Sequence, residues 1–416
     1  MNSALLSQVR LQCRGIVSAL TQTRTRKLTS SIRNKADASP RFYMRLINMN
    51  KALLASTAIV GAALLSAPAM AGSVGTGKNY SVNLNGMVFF QGHVLDGGAD
   101  GFTRGYGLNM PEAELWVKAT NKSDNGITYG VRVELEVNTN ATGNADEIYA
   151  FLKGDFGAVT LGDQDGVSNQ WLEGAHKTHA GASGPFGGLM GLAKVTRGLP
   201  KYIARTDWQP WTSADATKIT YQTPKFSGFQ AGISFTPDHK ANGSSFGEKD
   251  NNGSYENIIE MGLKYGGKFN DVGFNASIVH ESADAENAGG KQHDVLAAGA
   301  RLTMGKISVG ANFRDNGDLD QTAAQLAAGG EGGSWYAVGG GYNMGKGTKA
   351  SIWYGAGSQD VSSSVSQDVT RWGLGFQKVM APGWLLRADY NSAKLEKTGA
   401  ADNDQQAVIL TNFFIF

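Results

Sequence analysis

The side chains that could do covalent or metal chemistry in this chain are few and scattered. Six histidines stand at positions 93, 176, 179, 239, 280 and 293, and only His176 and His179 are near enough in sequence to share a ligand. They fall in a stretch without strand or helix periodicity, where a solvated role outweighs coordination. Asp163-Gln164-Asp165-Gly166 opens like a calcium loop, but the later ligands of such a loop do not follow. No metal is assigned. The single cysteine, Cys13, lies in a basic leader, which excludes disulfide frameworks, zinc-thiolate sites and cysteine nucleophiles from everything after it. A phosphate-cradling GxxxxGK[ST] loop is absent after residue 71. Glu134 and Glu136 are two apart, so on a strand both carboxylates share one face. That arrangement serves the wall of a wet space at least as well as acid-base work.

The elements that would carry these residues follow from composition and periodicity. The chain has 416 residues, with 38 Lys plus Arg against 36 Asp plus Glu, a balance that implies no nucleic-acid partner. Residues 1–71 hold ten of the basic side chains and only one acid, Asp37, so the remainder carries 28 against 35, a charge of −7. From Met49 the sequence has a lysine, an apolar run over 52–65 and Ala69-Met70-Ala71 before Gly72. Those are the three parts of an export signal. Its apolar run of 14 residues is too short to cross about 30 Å of hydrocarbon as a helix. The reading is therefore a cleaved signal peptide at 49–71 and a mature chain at 72–416. Residues 1–48, basic and nearly acid-free, are read as a non-native extension from an upstream start codon.

After residue 71 the recurrent pattern is alternation. Val82, Leu84, Val88 and Phe90 interleave with Asn83, Asn85 and Gln91, while Val131, Val133, Leu135 and Val137 enclose Arg132, Glu134 and Glu136. A period of two places one set on each face of a strand. Read to the end, it predicts sixteen strands, at 80–96, 108–121, 126–138, 146–154, 158–164, 217–223, 229–238, 256–266, 272–283, 292–304, 307–317, 334–345, 348–360, 366–380, 384–396 and 405–416. Short links, such as 155–157, 305–306 and 346–347, alternate with long ones, of which 165–216 is the longest. That alternation is what an up-and-down meander gives when its two rims face different compartments.

Alternation alone does not say which face meets which solvent. Three features favour apolar outside and polar inside: the export signal, aromatics at strand ends (Tyr80, Phe156, Tyr221, Phe226, Phe229, Tyr265, Phe269, Trp384), and a final strand that ends on Phe416. Lipid requires every backbone group to pair around a ring, and sixteen strands enclose a water-filled channel where eight would be plugged by their own side chains.

At Ala69-Met70-Ala71, at the run from Glu147 to Gly157 (EIYAFLKGDFG) with Val159 to Gly166 (VTLGDQDG), and at the terminal Phe416, the chain resembles the general porins of Gram-negative outer membranes, particularly those of alphaproteobacteria. The resemblance implies an all-β transmembrane 16-stranded antiparallel barrel whose fourth and fifth strands form that hairpin. It implies that 165–216 is the third extracellular loop, folded into the lumen, with Gly184-Pro185-Phe186-Gly187-Gly188 at its tip. It further implies a homotrimer, passive diffusion of small hydrophilic solutes and ions, no cofactor, and an assembly signal at Phe414 and Phe416 read by the barrel-assembly machinery. Counting back by twos from Phe416 reaches Asn412, which interrupts the apolar face expected of that signal.

In such a barrel, Val131 and Val133 face lipid, so Arg132 faces the lumen. The same argument gives Lys118, Lys218, Arg301, Arg314, Arg371 and Arg387, with Glu134 beside them. Charged rings at the narrowest section set ion preference. The long loop offers Asp165, Glu173, Asp207 and Asp215, but also Lys177, Lys194, Arg197, Lys201 and Arg205. Three other readings stay open: a sugar- or anion-selective porin with Trp171, Tyr202, Trp208 and Trp211 as an aromatic slide, an outer-membrane hydrolase, and a soluble polysaccharide-binding protein. The hydrolase requires a serine and a histidine within hydrogen-bond reach on one face.

Overall fold

The structure, a computed structural model, describes residues 80–97, 105–137, 145–185, 199–200, 202–204, 213–239, 255–287, 290–291, 293–319 and 321–416. The leader, the signal segment at 49–71 and Asp207 lie outside the described residues. Sixteen strands follow one another: β1 Ser81–Gly97, β2 Tyr106–Lys122, β3 Thr128–Glu136, β4 Ile148–Gly154, β5 Gly157–Asp163, β6 Thr217–Gln222, β7 Phe229–Asp238, β8 Tyr255–Phe269, β9 Val272–Ala285, β10 His293–Met304, β11 Ile307–Asp315, β12 Ser334–Gly345, β13 Thr348–Ser362, β14 Val365–Ala381, β15 Trp384–Lys397 and β16 Asn403–Ile415. Each pairs antiparallel with its neighbour in sequence, and β1 pairs with β16, so the sheet closes on itself. Among the described residues two short α-helices, α1 Val167–Gln170 and α2 Ala323–Ala327, interrupt the links, and no described helix is long and apolar enough to cross a membrane.

Closure uses the last residue of the chain. Gly86 and Phe416 exchange backbone hydrogen bonds of 2.8 and 3.0 Å, and a Cβ on Gly86 would fall 2.6 Å from the Phe416 ring. Glycine there permits the close approach. Asn412 does lie on the outward face among Val408, Leu410 and Phe414. Its amide oxygen accepts from the Trp384 indole N–H at 3.2 Å, and Trp384 stacks on Phe414. The break in the apolar stripe is thus filled by a neighbour across the β15–β16 hairpin, at the short-turn rim.

The eight aromatics singled out in the sequence all belong to that same rim. Phe226, Phe229, Phe269 and Trp384 are exposed there, and Tyr221 donates from its hydroxyl to the Phe156 carbonyl at 2.8 Å. Between Phe226 and Phe229 the chain turns through Ser227 and Gly228, both at positive φ (48° and 90°). That is the type I′ geometry that matches strand twist.

Expected strands 126–138 and 146–154 are each shorter in the structure. Beyond their ends the pairing continues irregularly, Glu134 N–H to the Glu147 carbonyl at 2.8 Å and Asp146 N–H to the Glu134 carbonyl at 2.9 Å. A cluster of carboxylates occupies this place.

Outward residues form a continuous apolar band, for instance Trp372, Leu374 and Phe376 on β14. Leu374→Arg should destabilise the folded barrel by about 2–4 kcal/mol at mid-membrane. Denaturant titration of the variant in lipid vesicles measures it, and an unchanged midpoint would place Leu374 away from hydrocarbon.

Candidate functional site

The inner wall is not uniformly polar. On β9 to β14, the inward positions include Val279, Val295, Ala297, Trp335, Ala337 and Val369, all buried. The segment after β5 covers them: Val167, Trp171 and Leu172 pack on Val279, Val295 and Ala297, Ala175 on Trp335 and Ala337, and Ile203 with Ala204 on Val369.

Glycines at inward positions let the segment's main chain lie directly on the sheet. A Cβ on Gly310 would meet the Gly174 carbonyl oxygen at 2.5 Å, one on Gly339 the Thr178 hydroxyl at 2.9 Å, and one on Gly375 the Gly181 nitrogen at 2.6 Å. Gly232 and Gly262 leave room for the Trp171 ring, with contacts of 2.7 and 2.9 Å to a Cβ at either position. Glycine inside a strand weakens it unless something must approach closely. Here the approaching group is the segment itself.

Side chains of the wall then satisfy its backbone. Ser234 Oγ accepts from Val167 N–H at 3.0 Å, and Glu260 accepts from Ser168 N–H at 2.8 Å and from the Ser168 hydroxyl at 2.5 Å. Ser213, from the segment's far end, donates to the same carboxylate. Glu281, paired with His293 at 2.7 Å, stands beside it. Farther round the ring, Ser277 takes Glu173 N–H (3.1 Å), Asn312 takes Ala175 N–H (3.2 Å) and Ser351 takes Ala180 N–H (2.8 Å). Asp389 takes Ala182 N–H (2.8 Å), Ser183 N–H (3.1 Å) and His179 Nε2 (2.7 Å). A buried N–H without an acceptor costs about 1–3 kcal/mol, so these acceptors fix the segment's course.

Three of the seven basic wall residues picked from the sequence are engaged the same way. Lys218, buried, donates to the carbonyls of Gln164 and Ala214 and so ties the segment's two ends together. Arg314 donates to the Tyr202 carbonyl, and Arg371 to that of Ala204 at 2.5 Å. Arg301 pairs with Glu173 at 3.2 Å. Arg387 stays on the wall, donating to Gln377 at 3.0 Å with its guanidinium 4.9 Å from the Phe413 ring centroid. Lys118 lies over Phe151, and Arg132 over Trp116, while Arg132 also pairs with Glu134. Trp171 is 4% exposed and covered by the Lys264 ammonium 4.0 Å from its ring. His176 is buried, which lowers its pKa to about 3, so it is neutral.

The acids gather elsewhere. Glu112, Glu114, Glu134 and Glu136 face inward from β2 and β3, and Asp146, Glu147, Asp165 and Asp215 adjoin them from the ends of the neighbouring links. Their oxygens form three triplets, each with all members within 4.8 Å of one another: Glu112, Glu114 and Glu136; Glu114, Glu134 and Asp146; Glu147, Asp165 and Asp215. Oxygen donors of this kind suit hard cations. Burial, then the neighbouring carboxylates, raises the pKa of Asp146 to about 6 and that of Asp215 to about 7. Burial also takes Glu147 to about 8, against the opposing hydrogen bond from Asp165 N–H at 3.0 Å.

The anchors Glu260, Ser277, Asn312, Ser351 and Asp389 and the inward glycines were not singled out in the sequence. Their available signal was glycine or small polar residues on the inward half of an otherwise regular alternation.

A family model of Gram-negative porins matches residues 55–408. No curated protein sequence matches the chain significantly. Among solved structures, the anion-selective porin from Comamonas acidovorans superposes with a TM-score of 0.56 at 17% identity, covering 81% of this chain and 100% of that one. OmpT of Vibrio cholerae gives 0.55 at 14%, covering 82% and 98%. The outer membrane channel DcaP of Acinetobacter baumannii gives 0.51 at 14%, covering 83% and 100%. At these identities the likeness is one of fold, and the family match carries the assignment. The chain belongs to the Gram-negative porin family, as an outer-membrane barrel whose channel passes small hydrophilic solutes and ions by diffusion.

Proposed function

We propose that the segment 165–216 narrows the lumen and that the narrowed section favours cations. The supporting observation is the division of charge. Eight carboxylates concentrate on β2, β3 and the adjoining links, while Lys218, Arg314 and Arg371 are turned to main-chain carbonyls of the segment. Clefts lined by one sign of charge concentrate the opposite ion. In a planar bilayer under a potassium chloride gradient, the reversal potential of residues 72–416 should lie toward the potassium equilibrium value. A potential on the chloride side would overturn the cation preference.

Arg132, paired with Glu134 in this acidic field, offsets part of it. Arg132→Ala should therefore move the reversal potential further toward potassium, and an unchanged value would count against its lumen role. The preference should also depend on pH in a defined direction. Glu147, Asp215 and Asp146 protonate at about 8, 7 and 6, so their negative charge is complete only above pH 8 and is lost stepwise as pH falls through 8, 7 and 6. Ordinary carboxylates would place that change near pH 4. Reversal potentials from pH 9 to pH 5 distinguish the two.

A threefold assembly belongs to the same reading, supported by the family and by OmpT of Vibrio cholerae, which is described in a trimer form. The channel is read as non-enzymatic. Ser351 Oγ does stand 3.0 Å from His179 Nδ1, with His179 Nε2 2.7 Å from Asp389, the residue types of a hydrolase relay but with the two ring nitrogens exchanged. But Ser351 accepts from Ala180 N–H and Asp389 from two further N–H groups, so the array is occupied in holding the segment. Gly243-Ser244-Ser245-Phe246-Gly247 has the GxSxG spacing but lies outside the described residues, in the link between β7 and β8.

A further inference from the structure

Between the segment and the wall lies a cavity of about 200 Å3, at the short-turn side of the barrel. Three lysines from three different elements line it: Lys177 from the helical turn at Ala175–Thr178, Lys225 from the β6–β7 turn, and Lys264 from β8. Trp171, Gln230 and Asn275 complete the lining used here. Among the described residues none of the three lysines forms an ion pair. Glu173, the acid at this cavity, is shared between Arg301, at 3.2 Å, and the lysines, so one carboxylate stands against three ammonium groups and an arginine. Lys264 is held in place with its ammonium 4.0 Å from the Trp171 ring centroid, and Trp171 is fixed by its glycine seats. The Gln230 amide is oriented by its bond to the Thr223 carbonyl at 2.8 Å. Of the acids, Glu112, Glu114, Glu134 and Glu136 stand on β2 and β3, farther round the ring, while Glu260, on the same strand as Lys264, is engaged by Ser168 and Ser213.

From this arrangement we propose that the cavity binds a compact multivalent oxyanion, an inorganic phosphate or a small di- or tricarboxylate. Three lysines lining one small space place like charges near one another, and an anion among them replaces that repulsion with attraction. Lysine acts as a point charge with three rotatable donors, so it suits compact oxyanions rather than a planar partner that arginine would grip bidentately. Three positive charges favour a multivalent anion over a monovalent one of similar size. The cavity's volume, below that of a drug-sized pocket, limits the ligand to a small solute. Its position beside the β6–β7 turn makes it reachable from the short-turn mouth, beneath the segment. The site rests on the reading of the barrel as an open channel, and an anion held there would lower the current through it.

The test uses residues 72–416 in a planar bilayer, first in potassium chloride alone and then with citrate added to one side at constant ionic strength. Citrate on the short-turn side should reduce the current or add blocking noise, with a smaller effect from the opposite side, and acetate should do neither. Lys177→Gln and Lys225→Gln, both at exposed positions, should each weaken the effect roughly tenfold in apparent affinity. Equal responses to citrate and acetate, or a citrate response unaltered in the double variant, would overturn the site. Absence of any conductance in potassium chloride would instead defeat the channel reading. Calorimetric titration of citrate into the detergent-solubilised protein then decides the site by itself, with no binding, or the same binding in the double variant, as the overturning result.

Discussion

Replacing Gly310 by leucine is expected to enlarge the channel while leaving the barrel folded. Gly310 faces inward from β11, and the Gly174 carbonyl of the overlying segment would sit 2.5 Å from its new Cβ, with the Thr178 methyl at 3.1 Å. Neither neighbour is the end of a flexible side chain that could swing aside, so the segment must lift. Overpacking of this kind costs about 1–3 kcal/mol. That cost falls on the seated segment, because the strand ladder of β10, β11 and β12 uses backbone groups that a side chain at 310 does not touch. The variant should show higher single-channel conductance and admit larger uncharged solutes in liposome swelling, with an unchanged strand signature by circular dichroism. Wild-type conductance in a folded Gly310→Leu barrel would mean that 165–216 does not set the narrowest section.

Asp389→Ala should have the second large effect, through release rather than displacement. One buried carboxylate on β15 takes two main-chain N–H groups, of Ala182 and Ser183, and the His179 ring. Removing it leaves three donors without an acceptor beneath the segment, at about 1–3 kcal/mol each for neutral groups. The stretch 179–185 should then leave the wall intermittently. Current records should become noisier, and added protease should cut this stretch faster than in the wild type. Asp389→Asn keeps an acceptor oxygen and should lie between the two. Quiet, protease-resistant channels from Asp389→Ala would show that this anchor is dispensable. Because Gly310 and Asp389 act on the same segment, their effects should not add in the double variant.

Much of the wall was legible in the sequence, and the reason is visible in particular residues. Arg132 between Val131 and Val133 can face only one way once the valines face lipid, and in β3 it pairs with Glu134 two residues on. The strand at 229–238 is found with those bounds, because Ser227 and Gly228 mark its start and its alternation is unbroken. The partners of the inward charges were not legible. Arg314 meets a carbonyl 112 residues away and Arg371 one 167 residues away, and a period of two tells which face a side chain takes but not what lies over it. The same holds for Asn412, where sequence shows a polar interruption and only the β15–β16 register brings Trp384 to it.

The pairing of Gly86 with Phe416 also bears on how the barrel closes. β1 and β16 are the two strands farthest apart in sequence, so the ring closes only once both are in place. Until β16 docks on β1, two sets of unpaired backbone groups remain, each a template for the wrong partner. Contacts so distant along a chain also close slowly. A truncation of even a few C-terminal residues should therefore do more harm than its lost area suggests, by prolonging an adhesive, protease-sensitive intermediate.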